Sequence, residues 1–286
     1  MKGLKKIALA TAIAAAPFAS HAGMQALDDT AMGNVTGQAG VTIELETKVS
    51  IGEFRYTDTN ADPSTNDPES DGGSFVVSDV VLGGAGVHLA PGTDTSQLLD
   101  DLKIDIDVAA DGDAVIHVGS ISGDPIDWGM SVGSIGLQGA GEIAEDGSNS
   151  TTLISGLSGY GSLAQLDIRV DTLEDALQLD VAFNVIDMDF DVEFLGVGIR
   201  DLAIMGGTFF EQSGNPMTDN FAVADVDVYK GNGLGDSTAE DVLRIDINDI
   251  TMDMSIGAIE IGGTSIGSVA LDNLTISNTK LAVYGR

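Results

Sequence analysis

Hydrophobic side chains recur at every second position over most of this chain, a period that only a strand with one buried and one wet face turns into a surface. Val41, Ile43, Leu45, Val49 and Ile51 alternate with Glu44, Glu46, Lys48 and Ser50. Leu102, Ile104, Ile106 and Val108 alternate with Lys103, Asp105 and Asp107. Leu177 to Val185 form another apolar set on odd numbers, after which Ile186, Met188, Phe190, Val192 and Phe194 take even ones. That change of parity predicts a bulge or turn near Val185. Val226 and Val228, Leu243 to Ile247, and Ile250 to Ile256 continue the pattern. The expected fold is all-β: extended amphipathic antiparallel sheets, stacked as a sandwich or wound as an irregular β-solenoid, with a short N-terminal helix.

Turn residues punctuate the strands at 83–86, 111–113, 145–151, 211–220 and 231–237, as glycine, asparagine and aspartate do where backbone must reverse. Helix is scarce, with short candidates at 24–32, 96–102 and 172–177. A strand of the form L-x-I-x-[IV] followed later by a glycine-spaced apolar tail occurs three times, from Leu102, Leu166 and Leu243, with tails at Val132 to Leu137, Val197 to Leu202 and Ile266 to Leu271. The spacing between copies is irregular, so no domain boundary is drawn within 41–286, which is read as one β-rich domain carrying an acidic loop at 57–74.

The first 22 residues have the tripartite form of a secretory signal. Lys2, Lys5 and Lys6 precede the apolar run Ile7 to Phe18, and Ser20-His21-Ala22 supplies small residues for cleavage between Ala22 and Gly23. The mature chain then has 9 basic side chains against 45 acidic ones, a net charge of −36. Such a surface repels phosphate backbones, so nucleic acid is excluded as a partner. No later segment is long and apolar enough to be a transmembrane helix. The expectation is export to the periplasm, the cell surface or the medium. With no cysteine, disulfides, thiolate metal sites and cysteine nucleophiles are excluded as well.

The run Gly23 to Thr42, GMQALDDTAMGNVTGQAGVT, carries the pattern M-x-x-L-x-D-x-x-[LM]-x-x-V-[ST]-G-Q-x-G-[VIL]. Leu27, Asp29, Met32, Val35, Thr36, Gly37, Gln38, Gly40 and Val41 match it. In this segment the chain resembles a group of secreted proteobacterial proteins of unassigned activity, some of which carry the label pilus system protein FilA. The resemblance implies a role at the cell surface beside pilus or other surface proteins, and supplies no catalytic residue. Physically, residues 23–40 read as an amphipathic helix and a G-Q-x-G turn that could cap an exposed strand edge, as such edges require.

Catalytic material is sparse. The mature chain retains only His88 and His117, on separate strands. Two G-x-S-x-G matches, around Ser131 and Ser265, lack the following helix and histidine of a nucleophile elbow. The expectation is a non-enzyme. The best chemical candidate is the loop Asp58 to Asp71, where Asp58, Asn60, Asp62, Asn66 and Glu69 fall at positions 1, 3, 5, 9 and 12 of a calcium loop. Pro63 occupies the sixth position, which in such loops is glycine. A second acidic feature is the D-x-D ladders Asp105/Asp107, Asp187/Asp189/Asp191/Glu193 and Asp225/Asp227.

These features point to an exported structural or adhesive surface protein. A calcium-dependent (Ca2+) binding module and an outer-membrane β-barrel are the alternatives, the latter because it uses the same alternation.

Overall fold

The computed structural model describes residues 40–58, 72–89, 95–139 and 149–285. Residues 1–39, which contain the cleavage site and all of the N-terminal motif except Gly40 and Val41, lie outside them. Twelve strands form one antiparallel sheet, so the all-β expectation holds. They are β1 (Val41–Thr47), β2 (Val49–Thr57), β3 (Ser74–Gly83), β4 (Leu99–Val108), β5 (Ala114–Ser120), β6 (Ile126–Gln138), β7 (Ser150–Asp171), β8 (Ala176–Val192), β9 (Val197–Met205), β10 (Ala222–Gly231), β11 (Val242–Ile261) and β12 (Thr264–Val283). The single α-helical turn among the described residues, α1 (Pro216–Asn220), is set by the Asn215 side chain, which accepts from the Met217 N–H, and by Pro216 in the first turn.

The topology is simpler than twelve strands suggest. β1 with β2, β3 with β4, β5 with β6 and β9 with β10 lie end to end, and β7, β8, β11 and β12 each run the full length, giving eight rungs in an up-and-down meander. In the first half of the sheet the order is β1-β4-β5-β7-β8-β10-β11-β12. In the second half β2, β3, β6, β7, β8, β9 and β11 succeed one another in that order, and β12 closes this half as well. Each L-x-I-x-[IV] strand of the sequence repeat falls in the first half, and each glycine-spaced tail in the second.

Cross-strand pairing places the alternating apolar positions of the sequence largely on one face. Ile43, Ile104, Val118, Leu166, Val181, Ala224, Ile250 and Ile276 stand opposite one another across the eight rungs. The adjacent row is Val41, Ile106, Ile116, Ile168, Leu179, Val226, Ile247 and Thr279. The second half repeats this with Phe54, Val77, Ile135, Ile154, Val192, Val197, Ile261 and Thr264. No residue of these three rows is buried. All the described strands therefore belong to one sheet, whose apolar face is half-buried or exposed along these rows and buried at Ile126, Val132 and Val185 near the middle of the rungs.

Holding one face apolar over rungs of up to 22 residues takes bulges, because each extra residue flips the parity of all later positions in its strand. The predicted flip near Val185 is present: Gly161 pairs with Val185 and Tyr160 with Asp187, leaving Ile186 as the extra residue. Elsewhere the device is an aspartate, asparagine or glycine with positive φ. Asp79, Asp101, Asp201, Asn273 and Asn278 have φ between 50 and 60°, and Gly156 has φ 58°. These are the residue types that reach the left-handed region at least cost. At Asp79 the apolar set changes from Phe75 and Val77 to Val80 and Leu82; at Asn278 it changes from Ile276 to Thr279 and Leu281.

Two expected helices are absent. Residues 99–102 of the 96–102 candidate belong to β4, where leucine packs on the apolar face, and 172–175 form the tight turn from β7 into β8. The Thr172 and Asp175 spacing that mimics a helix start serves that turn instead. Thr172 N–H and hydroxyl both donate to Asp113.

Candidate functional site

The face opposite the apolar rows collects the D-x-D ladders of the sequence. In the first half, Thr42, Asp105, His117, Asp167, Asp180, Asp225, Asp249 and Ser277 form one continuous row. Beside it run Gln178, Asp227, Asp246 and Lys280. Four aspartates, Asp167, Asp180, Asp225 and Asp249, stand at consecutive cross-strand spacing, where like charges repel, and His117 separates them from Asp105.

Most of them have local donors. Thr42 Oγ1 donates to Asp105 at 2.6 Å, and Lys103 lies 3.1 Å from the same carboxylate. Those two contacts hold the Asp105 carboxyl below its usual range, the hydroxyl being the larger cause. His117 Nδ1 meets Asp167 at 2.5 Å, Asn248 Nδ2 donates to Asp225 and Asp227 at 2.9 Å each, and Thr251 Oγ1 donates to Asp249 at 3.0 Å. Asp180 accepts from none of them. Desolvation first, then the charges of Asp225, Asp167 and Asp227, push its carboxyl above the ordinary value. It opens on a shallow groove with Gln165, Ala182 and Val223.

In the second half the polar face carries Asp187, Asp189 and Asp191 of β8. Asp187, Asp189 and Asp201 each offer one carboxylate oxygen within 4.8 Å of the others. A hard cation takes oxygens of this kind, yet part of this set is already used: Asp189 Oδ1 accepts the Asp201 N–H at 2.9 Å. Asp191 is paired to Arg200 at 2.5 Å, and the same guanidinium reaches Glu260 at 3.2 Å.

His88 does not sit on a strand, as the alternation suggested; it comes directly after a 3-10 turn, Ala85–Val87. Its Nδ1 lies 2.5 Å from Ser158 Oγ, its Nε2 3.3 Å from Asp187 Oδ2, and its ring stacks on Tyr160 with centroids 5.3 Å apart. Sequence reasoning missed this serine, histidine and aspartate set because the three residues come from distant segments without a motif. Nucleophilic catalysis also needs free N–H donors aimed at a developing oxyanion. Ser158 is mid-strand, paired with Ser131 on one side and Asp189 on the other, so the neighbouring backbone belongs to the ladder. The set ties the 84–89 crossing onto the polar face, helped by the Ala85 N–H donated to Asp127 at 2.9 Å.

The second crossing, 206–221, is tied down in the same way. Asp253, only 1% exposed, accepts the Phe210 N–H at 3.0 Å and the Asn273 N–H at 2.7 Å. Asn184 accepts from Ser162 N and donates to the Asn220 carbonyl. The described parts of these two crossings thus lie on the polar face. Ser131 and Ser265 of the G-x-S-x-G matches are strand residues of β6 and β12.

Of the five calcium-loop candidates, only Asp58 is described, and its N–H donates to the Gly73 carbonyl at 2.9 Å, closing the end of the β2–β3 hairpin. Asn60, Asp62, Asn66 and Glu69 lie outside the described residues. No helix of the described part is long and apolar enough to cross a membrane.

Neither curated proteins nor solved structures offer a match to this chain. One family model does match: residues 1–110, which include the whole of the N-terminal motif and the first four strands, are similar to a family of unknown function, DUF6160.

Proposed function

We propose that this chain is an exported structural or adhesive surface protein that works by presenting strand edges and sheet faces to partners, not by catalysis. The supporting observation is the pair of open edges. β1 with β2 borders the sheet on one side and β12 on the other, each offering some 17 to 20 residues of one-sided ladder. Phe54 is 54% exposed, Tyr56 63% and Ile266 64%. A long apolar edge is a template for another strand, and strand addition is a common way for surface assemblies to take up a partner segment. The resemblance of the first mature residues to pilus-labelled proteins makes a pilus system the assembly to test.

An outer-membrane barrel fits this geometry less well. Its apolar band is about 25 Å tall, whereas apolar rows here extend through both halves of rungs about 60 Å long by strand rise. Antibody labelling and protease shaving of intact cells, with fractionation, test the proposal. A processed, surface-accessible chain supports it; an unprocessed chain confined to the cytoplasm refutes it.

A further inference from the structure

A sheet that is apolar on one face must bury that face against another layer, and in this chain all the described strands belong to the one sheet. Eight rungs about 4.8 Å apart, each about 20 residues long at about 3.3 Å per residue, give a face of roughly 2,500 Å². At the middle of the rungs this face holds Ile126, Val132 and Val185, which are 2 to 5% exposed, whereas the rows toward the ends, with Ile168, Leu179 and Val226 among them, are half-buried or exposed, and the three apolar rows contain no charge. The described stretches 84–89 and 206–221 of the two crossings are tied to the opposite, acidic face.

Residues 23–39, 59–71, 90–94 and 140–148 are too few to serve. If all were laid out as strands at about 16 Å² each, they would reach roughly 700 Å², under a third of the face. An anionic lipid surface is opposed by the acidic composition, which surrounds this face with negative charge.

We propose that a second copy of this chain covers the apolar face, the two sheets packing face to face as a sandwich with both acidic faces outward. The available area, about 2,500 Å² per copy, is well above the roughly 800 Å² per partner of a standard stable interface, and lies in the range of obligate homodimers. Two identical faces related by a twofold axis match in length and width by construction. The acidic rows stay in solvent, separated by two sheets packed about 10 Å apart, so burying the apolar rows brings no carboxylate out of water. The inference rests on the proposed function only for the mature start at Gly23; it concerns the purified chain and does not depend on where the protein resides.

The experiment uses the mature chain, residues 23–286, in detergent-free buffer. Sedimentation velocity from about 0.5 to 50 µM is expected to show a species of twice the chain mass. Because the chain contains no cysteine, single cysteines report geometry cleanly. A spin label at Leu179→Cys on the apolar face should give an inter-copy distance shorter by more than about 10 Å than one at Gln178→Cys, its neighbour on the acidic face. Ile168→Asp with Val226→Asp should convert the dimer to monomer, and Asp167→Asn, on the acidic face, should leave it intact. If the double variant does not fold, the label distances in otherwise native protein decide. A monomer throughout that range overturns the proposal. So does a dimer in which the Gln178→Cys pair is the closer one, or a chain that stays in solution only when bound to vesicles.

Discussion

Asp180 is the place where the acidic row should be easiest to relieve. Its cross-strand neighbours are Asp167 and Asp225, and opposed residues on adjacent strands sit about 5.5 Å apart. Asp180 is exposed, so at a water-like dielectric the charge part amounts to about 0.75 kcal/mol of repulsion per neighbour, or about 1.5 kcal/mol for the pair, beside a salt-independent part from desolvation, the first cause of its raised carboxyl. Screening with a Debye length near 10 Å reduces the charge part to about 0.9 kcal/mol at 0.1 M salt, and near 3 Å to about 0.2 kcal/mol at 1 M. Asp180→Asn should therefore stabilise the fold by about 1 kcal/mol at pH 7 and 0.1 M salt. With a urea slope near 2 kcal/mol/M, the midpoint should rise by roughly 0.4 M. The sign with pH comes from the raised folded pKa of this group. Its protonated form adds stability that is complete below the unfolded value and is lost as pH rises through the folded one. The advantage of Asp180→Asn should thus vanish below about pH 4. Urea titrations of both proteins at 0.1 M and 1 M salt, and at pH 7 and 4, read all of this. A lower midpoint for the variant at pH 7, or a gain unchanged at 1 M salt, would refute the argument from screened like charges.

Other perturbations act on the ties rather than on the row. Asp253→Ala removes a buried carboxylate that accepts from the Phe210 and Asn273 N–H groups and should cost about 1 to 3 kcal/mol, with Asp253→Asn losing about half as much, both by urea midpoint. The Asp113 carboxyl is held below its usual range by the Thr172 N–H first and then by Arg169. Its contribution is present above the unfolded value and lost as pH falls through the folded one, so Asp113→Asn should flatten the acid limb of stability below about pH 4. Asp201 has φ 51° within β9. Asp201→Val should cost about 1 to 3 kcal/mol while Asp201→Gly stays near wild type, measured by thermal melts of the two variants. Gly257→Ala would bring a Cβ within 2.7 Å of the Asp201 Cβ, and should lower the melting temperature in the Asp201 background yet do less harm combined with Asp201→Gly.

Strand content and the apolar face were legible because period two is a local property: the alternation over 102–108 or 177–185 requires no knowledge of partners. The flip at Val185 was legible for the same reason, since both sides of it are long. The other flips were not, because runs such as Phe75 to Leu82 are short, and a single aspartate inside one reads as one more polar position. The signal that could have found them is the coincidence of an Asp or Asn with a parity change, as at Asp79, Asp201 and Asn278. The acidic row needed register. Asp105, Asp167, Asp180, Asp225 and Asp249 lie in five different strands, and nothing in the spacing of D-x-D pairs along the chain says which aspartate meets which. The tie of His88 to Ser158 and Asp187 depends on a crossing segment folding onto a face, a tertiary event without local signature. The helix expected at 172–177 failed for the opposite reason, since the capping-like spacing of Thr172 and Asp175 also suits a tight turn, and the one at 96–102 gave way to β4.

Bulges and charge together explain how one sheet can keep two such unlike faces. A regular strand of 20 residues accumulates twist, and most strands are far shorter. In this sheet extra residues enter at Gly156 in β7, Ile186 in β8, Asn248 in β11 and Asn273 in β12, while at Asp79 and Asp201 the register with both neighbours is unbroken and the parity changes with a left-handed residue, so that the apolar set keeps its side. The extra residues are mostly small or polar ones whose left-handed backbone is cheap. Where a left-handed residue crowds its neighbour, the neighbour is glycine, as Gly133 is beside Asp79 and Gly257 beside Asp201. The result is a surface of two signs, one face that gains by being covered and one that resists it, since pairing acidic rows across two copies would multiply the repulsion already felt by Asp180. The proposed association through such a sheet is therefore directed to the apolar face and to the two open edges.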